Sequence, residues 1–144
     1  MADKYIPTES AEQIALFQWA QAAAGAYPAL RLMFAIPNGG NRNIVTATRL
    51  KAEGVKAGVP DIFLAVPSGE YHGLFLELKR LKGGEVSEAQ EGWLKDLSEK
   101  GYGACVAKGW REAADIIMEY LTTGEITFAQ TRGRGGKYHA AGGK

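Results

Sequence analysis

Leu74-Phe75-Leu76-Glu77-Leu78-Lys79 is a strand-like run, apolar at both parities and interrupted near its end by one acid. Sixteen positions before that acid stands Pro60-Asp61, heading a second apolar run, Ile62-Phe63-Leu64-Ala65-Val66. Pro67-Ser68-Gly69-Glu70 lies between the two runs and is turn chemistry, so the pair reads as a β-hairpin. A turn centred on Gly69 pairs residues equidistant from it, which sets Asp61 opposite Glu77 with Cβ atoms about 5 Å apart. Lys79 shares their face because strand side chains alternate. A strand apolar on both sides is covered on both sides. Glu77 is then desolvated and drifts toward its neutral form unless a cation holds it ionised. A second carboxylate on the next strand points to a metal as that cation. The donors are oxygen only, with no Cys or His at ligand spacing, which favours Mg²⁺ or Mn²⁺ over zinc.

Outward from the hairpin, helical and strand patterns alternate. Thr8 and Ser10 can cap a first helix, with Ser10-x-x-Gln13 as a capping box; Ile14, Phe17, Ala20 or Gln21, and Ala24 form its apolar stripe, and it ends near Gly25. Leu32 to Ile36 reads as a short buried strand, closed by the turn-rich Pro37-Asn38-Gly39-Gly40-Asn41-Arg42-Asn43. Asn43 can cap a second helix over 44–53, which Gly54 ends. After the hairpin strands, about 61–66 and 73–79, Ser87-x-x-Gln90 opens a third helix with Trp93, Leu94 and Leu97 inward. Ala104 to Ala107 is a fourth strand. Trp110 to Leu121 is an amphipathic helix with Ala113 or Ala114, Ile117, Met118 and Leu121 inward. The order αβαββαβα predicts an α/β fold: a mixed four-stranded sheet flanked by helices.

The 144 residues, 46% hydrophobic, fit one folded domain over 1–125 followed by a basic, Gly-rich tail over 126–144 that lacks fixed structure. The formal charge of +1 conceals an asymmetry. Arg132, Arg134, Lys137 and Lys144 fall in the tail without an acid, leaving the rest slightly acidic. Bulk charge therefore does not mark a nucleic-acid binder, and local clusters must do so. No apolar run reaches the roughly 18 residues of a membrane span, and the N-terminus lacks a secretory layout, so the cytoplasm is the expected compartment. The single cysteine, Cys105, sits between Ala104 and Val106 and reads as a small buried hydrophobe. His72, beside the hairpin turn, reads as a surface residue.

Gly58-Val59-Pro60-Asp61, then Glu77-Leu78-Lys79, then Ser87-x-x-Gln90 ahead of Trp93, resembles the VRR-NUC branch of the PD-(D/E)xK nuclease superfamily, over about residues 9–121. The resemblance implies a restriction-endonuclease-like core. It implies that Asp61, Glu77 and the main-chain carbonyl of Leu78 bind a divalent ion, that Lys79 assists the nucleophile, and that Glu12 completes the acidic site. Gln90 would touch the acids or a phosphate. It further suggests a small stand-alone, phage-type enzyme, often a homodimer, cutting branched DNA such as four-way junctions, in the host cytoplasm if phage-encoded. Plainer readings stand beside these: an acid in a first helical turn suits the helix dipole, Gln90 completes a capping box, and Asn38 and Asn43 make turns and caps. DNA contacts are expected from Asn38, Arg42, Arg49, Lys51 and Lys56 on the approach to Asp61, from Arg80 and Lys82 after Glu77, and from the Arg-Gly tail. The competing hypothesis is a non-catalytic DNA-binding or assembly module on the same fold. A sequence-specific restriction enzyme is disfavoured, because no target-recognition segment extends the core.

Overall fold

A computed structural model of the chain describes residues 5–37 and 43–127. Asn38 and Arg42, and the basic residues of the tail, lie outside them. Among the described residues, four helices and four strands follow in the expected order: α1 (Glu9–Ala23), β1 (Met33–Ala35), α2 (Ile44–Ala52), β2 (Ile62–Leu64), β3 (Leu74–Lys79), α3 (Glu88–Glu99), β4 (Gly103–Lys108) and α4 (Trp110–Thr123). A 3₁₀ turn, Pro28–Leu32, not expected from the sequence, leads into β1. The strands form one sheet in the order β1-β2-β3-β4, antiparallel across the first three and parallel between β3 and β4. The parallel step is made by α3, the crossover such a connection requires.

The hairpin register is the one its turn dictates: Ile62 pairs with Leu76, Phe63 with Phe75 and Leu64 with Leu74. Continued by one rung, it sets Asp61 opposite Glu77. On one side of the sheet, Leu74, Leu76 and Leu78 join Ile62, Leu64 and Ala107 in the main core, which is closed by Leu16 and Ala20 of α1 and Ile116, Ile117 and Tyr120 of α4. On the other side a smaller cluster, Leu94, Ala104 and Val106, packs with Phe75, Val86 and Leu97 under α3. Both faces of β3 are thus covered.

Several details depart from expectation. Thr8, not Ser10, caps α1: its hydroxyl accepts from the Ala11 N–H at 3.0 Å, and Ser10 lies inside the helix. The buried stripe of α1 is Leu16, Ala20 and Ala24, whereas Ile14 is 58% exposed. The helix is Ala-rich and apolar on several sides, so its sequence leaves the rotational phase open. In α4 the innermost residues include Ile116 and Tyr120, while Met118 and Leu121 are only half-buried. Tyr120 is buried because its hydroxyl has a partner, the Val66 carbonyl at 2.5 Å. Trp93 is half-buried, beside a fully buried Leu94. Ile126 is 1% exposed and belongs to the main core, so the folded body extends past Glu125. Cys105 is buried and His72 exposed.

Candidate active site

The site grows from the strand ends that meet α3. Asp61 is held at two points. Its carbonyl accepts from the Ile36 N–H at 2.7 Å, fixing the backbone to β1. Its Oδ2 accepts from the Leu78 N–H at 2.8 Å, fixing the side chain to β3 and leaving Oδ1 as the oxygen available to a ligand. The rung opposite Leu78 bears on its other main-chain group, the carbonyl. Continuation of the register places Pro60 there, and proline has no N–H with which to extend the ladder. The main-chain carbonyl of Leu78 therefore has no ladder donor from Pro60.

Gly58 sets the approach to this pair. Its φ is +90°, and a Cβ added there would lie 2.9 Å from the backbone and side chain of Ala89. Only a glycine lets the loop before Asp61 run this close to the first turn of α3. That turn carries Gln90, whose side chain has two partners. Its Oε1 accepts from the Ser87 N–H at 2.8 Å, completing the capping box with the Ser87 hydroxyl, and its Nε2 donates to Glu77 Oε2 at 3.0 Å. Capping and contact with the acid, separate readings in the sequence, are made by one amide.

Glu77 is 1% exposed and Lys79 6%. The ammonium of Lys79 lies 3.7 Å from Glu77 Oε2, the oxygen already engaged by Gln90, and Oε1 has no hydrogen-bond partner. Burial, then the charge and close carboxyl group of Asp61, push the Glu77 pKa up to about 9, against the opposing pull of Lys79; Glu9 adds a further push upward. Two ionised carboxylates this close repel, with no proton to share between them. The pair is stable only if one acid keeps its proton or a cation takes the proton's place.

This donor set fits a hard divalent ion. Asp61 and Glu77 each have one oxygen committed to the protein and another left over, and Leu78, the next residue after Glu77, has a carbonyl without a ladder donor from Pro60. Among the described residues no three His, Cys, Asp or Glu side chains gather as a metal cluster. Mg²⁺ needs no such cluster, since it commonly takes one or two carboxylates and fills its octahedron with water and substrate phosphate.

The remaining expected site residues are distributed unevenly. Glu12 is 4% exposed, and its Oε1 accepts from the Trp110 N–H at 3.0 Å, at the first turn of α4. The acid of α1 whose charge reaches Glu77 is Glu9, one turn earlier; its Oε2 lies beside Gly84, as does the Lys79 Cβ. Sequence reading passed over Glu9, although it immediately follows the Thr8 cap. Arg49 and Lys51 occupy the last turn of α2, and they, Lys56, Arg80 and Lys82 are all exposed. The Arg80 guanidinium lies against Gly83, the others reaching toward solvent as phosphate contacts would require.

Residues 8–110 match the family model described as VRR-NUC domain. A solved structure described as a VRR_NUC domain protein is similar to this chain with a TM-score of 0.72 and 26% sequence identity, covering 85% of this chain and 99% of that one. No curated protein matches the chain.

Proposed function

From the premise that the chain belongs to the VRR-NUC family, which gives it a nuclease-type, DNA-processing fold, we propose that it is a divalent-metal-dependent endodeoxyribonuclease acting on branched DNA. The observation that carries this reading is the buried Glu77 carboxylate, raised to about 9 beside Asp61, with an oxygen that no hydrogen bond satisfies. An uncompensated buried acid costs stability and is retained where function needs it.

Asp61, Glu77 and the Leu78 carbonyl would hold the ion, Mg²⁺ or Mn²⁺. When bound, the ion would neutralise charge at the phosphoryl group and acidify water. Lys79 is a point charge that orients the attacking water or stabilises the phosphoryl oxygens without competing for the metal. Gln90 holds Glu77 Oε2, leaving Oε1 as the oxygen that would bind the ion. Glu9 contributes a third negative charge at the rim. Arg49, Lys51, Lys56, Arg80 and Lys82 offset the repulsion between these acids and the DNA phosphates, and the tail adds contacts that do not depend on sequence.

A two-fold homodimer suits the symmetric cutting of a four-way junction. It is supported by α2, in which no residue is buried and Ile44 and Val45 are 81% and 76% exposed, and by Phe34 and Leu32 at the open β1 edge. A nine-residue helix without a buried face is marginal in water unless something covers it. Sedimentation analysis that found only monomers at working concentrations would remove the dimer. No described helix is long and apolar enough to cross a membrane.

The deciding experiment is cleavage of labelled four-way junction, flap, splayed-arm, single-stranded and duplex DNA in Mg²⁺ and in Mn²⁺, with Asp61→Ala, Glu77→Ala and Lys79→Ala alongside. Each variant is expected to lose about 10³-fold or more in cleavage while remaining folded and able to bind DNA. Binding without turnover by the unmutated chain in both metals would establish the non-catalytic module instead. Equal cutting of every substrate would remove the branched-DNA preference and leave the nuclease.

A further inference from the structure

A cavity of about 390 Å³ opens between the N-terminal segment and the start of α4, walled by Tyr5, Pro7, Glu12, Leu81, Lys108 and Trp110 among others. None of Asp61, Glu77, Lys79 or Gln90 lines it, yet it shares backbone with them. Lys108 is the register partner of Lys79, and Gly109, at the cavity, donates its N–H to the Lys79 carbonyl at 2.8 Å. The cavity is therefore one strand spacing, about 4.8 Å, from the backbone of the catalytic lysine.

Its chemistry excludes a phosphate from the interior. The N–H of Trp110, at the positive end of α4, already donates to the buried Glu12 carboxylate, which would repel an anion. What remains is apolar and aromatic. Tyr5 is 78% exposed and Leu81 52%, two large side chains held in solvent at the rim. Gly109 has φ +81°, and a Cβ there would lie 2.7 Å from Leu81 Cδ2, so a side chain would collide with this wall. Lys108 and Arg111 line its exposed edge, with the Arg111 guanidinium 4.8 Å from the centre of the Trp110 ring. An apolar and aromatic wall with a buried carboxylate within and two exposed cations at the edge matches a nucleobase, with its hydrogen-bond donors inside and its flanking phosphates on the cations.

We propose that this cavity receives one unstacked base of the strand being cut, adjacent to the scissile phosphate, with Lys108 and Arg111 on the neighbouring phosphates. The inference rests on the DNA-cleaving reading and deepens it. A base enters the cavity only from a strand released from its complement, and unpairing within a duplex costs a few kcal/mol that a flap, splayed arm or junction has already met. The cavity thereby supplies a physical source for a preference for branched DNA.

The test scans 2-aminopurine through successive positions on either side of the cut in a splayed-arm DNA. The full chain, Tyr5→Ala and Tyr5→Phe are compared, with Ca²⁺ in place of Mg²⁺ to suppress turnover. Fluorescence is expected to change at one position within two nucleotides of the cut in the unmutated protein and in Tyr5→Phe, but not in Tyr5→Ala. Tyr5→Ala is expected to weaken splayed-arm binding about 5-fold and to leave duplex binding unchanged. Tyr5 is mostly exposed, so its loss leaves the fold intact. Bound DNA with no position-specific change, or a change that persists in Tyr5→Ala, overturns the cavity assignment alone. Failure of the unmutated chain to bind any DNA overturns the assignment and the DNA-cleaving reading together.

Discussion

Along β3, Leu74, Leu76 and Leu78 face α1 and α4, while Glu77 and Lys79 face α3, and all five are nearly sealed from solvent: Leu76 is 0% exposed, Glu77 1% and Lys79 6%. The two sides share a backbone and a degree of burial, and they differ only in what burial does to them. A leucine gains by leaving water, whereas a carboxylate loses its hydration and must recover it from neighbours. The recovery is incomplete at Glu77, where Gln90 and Lys79 serve one oxygen and the other has no partner. The apolar side of the strand holds the protein together. The charged side spends part of that stability on a site.

The largest expected break in this comparison is on the apolar side. Leu76→Ala should cost about 2–5 kcal/mol of folding stability, read by denaturant titration, with cleavage per folded molecule retained. Glu77→Gln should do the reverse, keeping or raising stability in the absence of metal while abolishing cleavage. Loss of cleavage in a folded Leu76→Ala protein would show that the two faces are not separable.

A smaller effect follows from the acid pair. In the metal-free protein Glu77 holds its proton up to about 9, whereas in the unfolded chain it is released at the ordinary value of 4.5. Between those values the folded state binds more protons, so this group's contribution to stability is full at low pH and is lost as pH rises toward 9. The melting midpoint without metal should therefore fall by about 10 °C from about pH 6 to about pH 8.5. On the proposed reading Mg²⁺ would take the place of that proton, so its stabilisation should grow over the same window, and Glu77→Gln should flatten both trends. A midpoint equally independent of pH and Mg²⁺ in the unmutated protein would contradict the metal assignment.

The smallest effect separates the two partners of Gln90. Ser87→Ala and Gln90→Ala each remove half of the capping box and should each cost about 1 kcal/mol. Only Gln90→Ala also frees Glu77 Oε2, and cleavage should fall a further tenfold or so in that variant alone. Equal activity in the two would reduce Gln90 to a cap.

The sequence alone determined the element order, the hairpin register and hence the juxtaposition of Asp61, Glu77 and Lys79. Those features follow from short-range rules: a turn fixes which residues pair, and alternation fixes which face they share. Other relationships were decided only by packing. The rotational phase of α1 was open because its alanines make several sides nearly equivalent. That phase placed Glu12 on the Trp110 N–H and left Glu9 to act on Glu77. The bond from Gln90 to Glu77 and the cavity beside Lys108 likewise join segments distant in the chain. Such contacts depend on how helices dock on the sheet, and local periodicity does not encode docking.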